Sequence, residues 1–152
     1  MKGKIRIYLD TSVISAYYDE RNPERKFLTE LFFKKIEMFD AYISEVVLAE
    51  IDDTKDVQLR AKLREKVISL KVLPIEEESR TLTDEYVKHE ATPSDYPEDA
   101  LYIAISTMNE IDYLLSWNFE HIVRVKTRRI VNMVNASFSY PDLEIITPAE
   151  LL

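Results

Sequence analysis

Three acids in this chain stand where a carboxylate is out of place. Asp10 closes the apolar run of "IYLDTSVIS" and is followed at once by two hydroxyls, Thr11 and Ser12. Glu50, in "SEVVLAEIDD", falls four residues after Val46 and three after Val47, so on a helix it shares their apolar face. Asp99, in "SDYPEDALYIAIS", precedes Tyr102 and Ile103 by three and four residues on the inward face of a nearly apolar helix. Burying an unpaired carboxylate is unfavourable by roughly several kcal/mol, so each acid needs a partner. Each also has a local explanation. Asp10 or Thr11 can cap a helix that begins near Val13. Glu50 can sit at a helix border, and Asp99 can favour a first turn through the helix dipole. Acting together, three convergent carboxylates need a cation, and oxygen-only ligands point to Mg²⁺ or Mn²⁺.

The elements that carry these acids alternate between strand and helix. Lys4–Leu9 reads as a strand with Ile5, Ile7 and Leu9 on one parity, and Asn22-Pro23 opens a helix that runs to Glu37. Ala41–Ile43 is a short strand, and Ser44 caps a helix that reaches about Asp53. A second helical stripe covers Asp56–Ser69, and Val72–Leu73 is a strand ended by Pro74. Helices over Glu77–His89 and Ser94–Asn109, a strand at Tyr113–Leu115, a helix over Thr127–Ala136 and a strand at Glu144–Ile146 complete the chain. Short strands alternating with helices predict an α/β protein, a three-layer α/β/α sandwich around a parallel central sheet. No linker or internal repeat interrupts it, so residues 1–152 are expected to form a single domain. Ligand sites in such sheets lie outside the carboxyl ends of the strands, which is where Asp10 falls.

Composition narrows the function classes. The chain has 152 residues with 46% hydrophobic and 32% charged, which is globular rather than disordered. It has no cysteine, which removes disulfide and thiolate chemistry and fits a reducing cytoplasm. A single glycine, Gly3, leaves no glycine-rich phosphate loop. The first strand is too short for a signal peptide, and no stretch has the length of a membrane span, so no membrane association is expected. A net charge of −8 opposes capture of nucleic acid over the whole surface, but the charge is uneven. Nine acids face only Arg80 and Lys88 between Glu76 and Asp99, whereas four of the six residues from Arg124 to Arg129 are basic. An enzyme that uses metal ions on phosphates needs both features.

The stretches "YLDTSVIS", "ISEVVLAEI", "PEDALYIAIS" and "DYLLSWNFEHI" resemble, in order and approximate spacing, those of the PIN-domain nucleases, notably the VapC-type toxins. The resemblance runs from about Lys4 to the closing "ITPAEL". It implies metal-dependent endonucleolytic cleavage of RNA, leaving 5′-phosphate and 3′-hydroxyl ends, with Asp10, Glu50 and Asp99 as catalytic metal ligands. A fourth ligand position, usually acidic in the family, falls on Asn118, whose amide brings an oxygen but no charge. The same asparagine can instead cap the turn Asn118–His121. Thr11 is expected to steady Asp10, and Ser116 to bind a water on the metal. His121, beside Phe119 and Ile122, reads as structural, and Glu98, Asp52 and Asp53 as surface acids. Arg124, Lys126, Arg128 and Arg129 are the candidates for holding an RNA backbone, and single-stranded or looped RNA is the expected target.

The resemblance also implies a homodimer and an antitoxin partner. Phe27, Phe32 and Phe33 could supply apolar surface for either, or fill the core. The alternative reading is a PIN fold of weak or no catalytic activity that binds RNA or protein. A phosphoacceptor receiver domain would want a paired acid where Thr11 stands, and a haloacid-dehalogenase-like phosphatase would want an aspartate where Ser12 stands.

Overall fold

The computed structural model describes residues 3–152. Its five strands are β1 (Arg6–Leu9), β2 (Asp40–Ser44), β3 (Lys71–Leu73), β4 (Tyr113–Leu115) and β5 (Glu144–Ile146). All pair in parallel, in the order β3-β2-β1-β4-β5. The helices are α1 (Thr11–Ala16), α2 (Pro23–Lys34), α3 (Glu45–Asp52), α4 (Val57–Val67), α5 (Glu77–Lys88), α6 (Pro97–Met108) and α7 (Val125–Ser137). The expected three-layer α/β/α sandwich is what forms.

The strand order reverses at β1, which lies between β2 and β4. Helices α1 to α4 connect β1, β2 and β3 on one side of that point. The chain returns to β4 through α5 and α6, and α7 leads on to β5. Right-handed crossovers then place the two helix sets on opposite faces of the sheet. Within the sets α1 packs on α2 and α4, and α5 packs on α6 and α7, while α3 touches α6. The central strands are buried on both faces: Ile7, Tyr8, Leu9, Leu114 and Leu115 are each 0% exposed, as parallel strands covered by helices require. Phe32 belongs to this core, Phe33 packs partly against it, and Phe27 is exposed.

Helix boundaries follow local chemistry. Asn22 and Ser44 cap α2 and α3 with side-chain oxygens, as their positions in the sequence suggest, and Asp56, expected within its helix, caps α4. Several expected boundaries move. The helix expected to reach Glu37 stops at Lys34 and gives way to a single 3₁₀ turn at Ile36–Met38. The helix expected from Ser94 starts at Pro97, because Tyr96 N–H turns back to the Pro93 carbonyl at 3.1 Å and the proline ring suits the first helical position. The last helix starts two residues early, at Val125.

With so few glycines, three helices end on non-glycine residues in the left-handed region: Glu90, Glu110 and Ser139, at φ 60°, 54° and 61°. After α5, Ala91 N–H reaches the Tyr86 carbonyl at 2.9 Å and Glu90 N–H reaches that of Val87 at 3.0 Å. That is the paired-bond ending that glycine usually supplies.

Candidate active site

The loops after β1 and β4 meet at the point where the strand order reverses. Asp10 N–H donates to the Leu115 carbonyl at 3.3 Å, and Ser116 N–H to that of Ile146 at 3.0 Å, so each loop leaves the sheet in register with its neighbour. Ser12 stitches the two loops together: its Oγ accepts from Trp117 N–H at 2.9 Å and donates to Asp10 Oδ1 at 2.5 Å. Asp10 Oδ1 also caps α1 by accepting from Val13 N–H at 3.2 Å. Helix α2 braces this corner, since Trp117 Nε1 donates to Thr29 Oγ1 at 3.0 Å and Arg25 lies over the Trp117 ring.

Asp10 is 2% exposed, and burial pushes its carboxyl up to about 6. The Ser116 and Ser12 hydroxyls and Val13 N–H oppose that rise, and the charge of Asp99 adds to it. Glu50, on α3, is half-buried; burial pushes it up to about 7, Thr11 opposes, and Asp10, Glu98 and Asp99 push it further up. Asp99, in the first turn of α6, is raised by burial and by Glu98, while His121 and Arg124 hold it down. The three acids thus feel one another's charge, although they come from three separate elements. Desolvated, mutually repelling carboxylates of this kind mark functional sites more often than structural ones.

One oxygen of each acid is held by the fold. Asp10 uses Oδ1, Glu50 Oε1 accepts from Thr11 Oγ1 at 2.9 Å, and Asp99 Oδ2 lies 2.9 Å from His121 Nδ1. Glu50 Oε2 and Asp99 Oδ1 have no hydrogen-bond partner among the described residues. As they stand, no three His, Asp or Glu side chains among the described residues are close enough to hold one ion. Each acid leans on its own donor, as unscreened like charges should. The donor chemistry, oxygen only and triply negative, fits a hard divalent cation.

Several residues occupy places other than those expected. Thr11 steadies Glu50 rather than Asp10: its hydroxyl bonds Glu50 and, at 3.0 Å, Tyr102 Oη. Ser12 takes the part expected of Thr11. Asn118 caps its turn, with Oδ1 accepting from His121 N–H at 2.9 Å, and its own N–H donates to Ser116 Oγ at 2.9 Å. His121 does not face the core but bonds Asp99. Arg124 reaches the site through its charge on Asp99, with its guanidinium anchored on Thr127 Oγ1 and the Ala91 carbonyl. Lys126, Arg128 and Arg129 form no ion pair with these acids; Lys126 and Arg129 lie exposed on α7. Asp52 and Asp53 are surface residues, and Asp52 pairs with Arg64. Glu98 is exposed too, yet its charge reaches both Glu50 and Asp99.

An open parallel sheet with an acid-lined site at its reversal point defines the class, an α/β protein built to meet a ligand at that edge. A family model described as "PIN domain" matches residues 7–116, and the chain belongs to that family. The match spans Asp10, Glu50 and Asp99 and ends on Ser116. No curated protein matches the chain. Among solved structures, VapBC2 from Rickettsia felis bound to a DNA fragment from its promoter is similar at TM-score 0.57 and 17% identity, over 91% of this chain and 96% of that one. VapBC from Salmonella typhimurium, bound to DNA, is similar at TM-score 0.57 and 16% identity, over 95% and 98%. The Mycobacterium tuberculosis toxin VapC20, which cleaves the sarcin-ricin loop, is similar at 0.56 and 18%, over 75% and 91%. At these identities the likeness is one of fold.

Proposed function

We propose that this protein is a metal-dependent endoribonuclease, and the toxin of a toxin–antitoxin pair. The observation that carries the reading is the coupling of Asp10, Glu50 and Asp99, three raised carboxyls from three elements at the reversal point of a PIN-family sheet. Asp10, Glu50 and Asp99 would hold Mg²⁺ or Mn²⁺, with Asn118 at the fourth position. When bound, such an ion activates a water for in-line attack on phosphorus and offsets charge on the phosphate.

The chain's own groups then have separate tasks. Ser12 and Val13 N–H hold Asp10, Thr11 with Tyr102 holds Glu50, and His121 holds Asp99, so each acid has a defined position from which it would shift to share an ion. Ser116 supports a water at the site. Arg124, at the start of α7 and coupled to Asp99, draws the scissile phosphate toward the acids, and Lys126, Arg128 and Arg129 extend that field along the backbone. The toxin reading rests on fold likeness to VapBC assemblies and VapC20, and it carries an antitoxin partner, a homodimer and a cytoplasmic setting with it.

The test is cleavage of end-labelled single-stranded RNA with Mn²⁺, beside a sample containing EDTA and beside Asp10→Asn and Asp99→Asn. The reading expects metal-dependent internal cuts that end in 5′-phosphate and vanish in both variants. Cleavage that survives EDTA, or that both variants retain, refutes it.

A further inference from the structure

Next to Asp99 the structure presents an aromatic surface that neither the acids nor the core requires. The Tyr96 ring stacks on the His121 imidazole with ring centroids 4.5 Å apart and planes tilted by 38°. Tyr96 is 51% exposed. It is nevertheless not loose. Its N–H is held by the Pro93 carbonyl at 3.1 Å, its carbonyl accepts from Asp99 N–H at 3.1 Å, and the next residue is the proline that opens α6. The ring beneath it is fixed as well. His121 Nδ1 lies 2.9 Å from Asp99 Oδ2, and its backbone N–H is capped by Asn118. A half-exposed ring on an anchored backbone thus stands one side chain away from a candidate metal ligand.

On the same β4–α7 loop, Phe119 is 50% exposed, with Arg25 5.6 Å from its ring centre. Exposed rings and guanidinium planes beside a phosphate-directed site are what unstacked bases seek, because every base has a π-face.

We infer that Tyr96, backed by His121, is a stacking platform for the base of a single-stranded nucleotide next to the scissile phosphate. The inference rests on the nuclease reading and favours unpaired RNA, since a base inside a duplex must give up its pairing and stacking to reach the ring. It also gives Asn118 a task in this chain, because the cap it forms holds His121, and with it the floor of the platform. Tyr96 touches the substrate away from the reacting atoms, so its loss weakens binding more than turnover.

The experiment measures binding of a fluorescent oligoadenylate by the whole protein with Ca²⁺ in place of Mg²⁺, beside an abasic ribose-phosphate strand of equal length. The unmodified protein should prefer the base-bearing strand by roughly 5-fold or more, the scale of one base–aromatic stack. Tyr96→Leu should lose most of that preference, Tyr96→Trp should keep it, and Phe138→Leu, an exposed ring at the far end of α7, should leave it unchanged. In cleavage with Mn²⁺, Tyr96→Leu should raise KM by a similar factor and leave kcat within about 2-fold. A Tyr96→Leu protein that keeps the full preference for the base-bearing strand overturns the platform while leaving the nuclease reading intact. Failure of the unmodified protein to bind or cut any RNA overturns both.

Discussion

Replacing Asp10 with asparagine keeps the shape, the cap on Val13 N–H and an acceptor for Ser12, and removes the charge, with an amide NH₂ in place of the second carboxylate oxygen. Burial, opposed in part by hydrogen bonds, leaves the Asp10 carboxyl at about 6 against 3.8 for a free aspartate. At about 1.4 kcal/mol per unit, that gap of about 2 units is worth at most about 3 kcal/mol. The folded state holds the proton more tightly than the unfolded state does. The stability linked to that proton is therefore fully present below pH 3.8, declines as pH rises, and is gone above about 6. Asparagine does not titrate. In metal-free protein, Asp10→Asn should accordingly gain on the unmodified protein between pH 4 and pH 7, by up to about 3 kcal/mol. At about 2–4 °C per kcal/mol for a domain of this size, the gain is roughly 6–12 °C in Tm. Both pH values lie away from the pI of about 4.9, where solubility is poorest. Urea unfolding in EDTA at the two pH values gives the number directly. If the stability difference between the proteins is the same at pH 4 and pH 7, Asp10 is not a desolvated, repelled carboxylate and the reasoning fails.

Four further outcomes follow. Mn²⁺ should raise the Tm of the native protein, and Asp10→Asn, Glu50→Gln and Asp99→Asn should each lose most of that shift in differential scanning fluorimetry; variants that each keep the full shift would show that the acids do not share an ion. Asn118→Asp retains a cap oxygen for His121 and adds a second, charged one, so half-maximal RNA cleavage should move to lower Mg²⁺, whereas Asn118→Ala should move it upward; coincident midpoints for all three proteins would remove position 118 from the site. Thr11→Val takes the donor from half-buried Glu50, so chemical denaturation should show a loss of about 1–3 kcal/mol at pH 8 that shrinks by pH 5, where Glu50 is protonated. Glu90→Gly relieves a left-handed residue after α5, and urea midpoints should report a gain of about 0.5–1 kcal/mol.

The sequence made the architecture legible because its punctuation is local. The strands Tyr113–Leu115 and Glu144–Ile146 form over the residues their apolar runs mark, and Asn22, Ser44 and Asp56 cap the helices they precede. Two of the displaced boundaries lie where no such signal exists. Nothing between Lys34 and Ile36 announces a stop, and Arg124, which offers no capping oxygen, hides the true start of the last helix. The three acids could be found because a carboxylate on an apolar face is anomalous in any window of sequence. Their helpers could not. Ser12 acts through Trp117, 105 residues away, and Tyr102 through Thr11, 91 away. Tyr102 also looks like an ordinary core residue, since it is 3% exposed and on the helical spacing of its neighbours. His121 reads as structural beside Phe119 and Ile122, and only the arrival of α6 puts Asp99 against it.

The claim at the centre of this account is that Asp10, Glu50 and Asp99 converge on one divalent cation. Anomalous diffraction from a crystal of the unmodified protein grown with Mn²⁺ tests it with the fewest intervening assumptions. The account predicts a manganese peak bounded by all three carboxylates, at the carboxyl ends of β1 and β4, and no such peak in isomorphous Asp10→Asn crystals. A map with no peak between these acids at saturating Mn²⁺, or with a peak that persists unchanged without the Asp10 carboxylate, would contradict it.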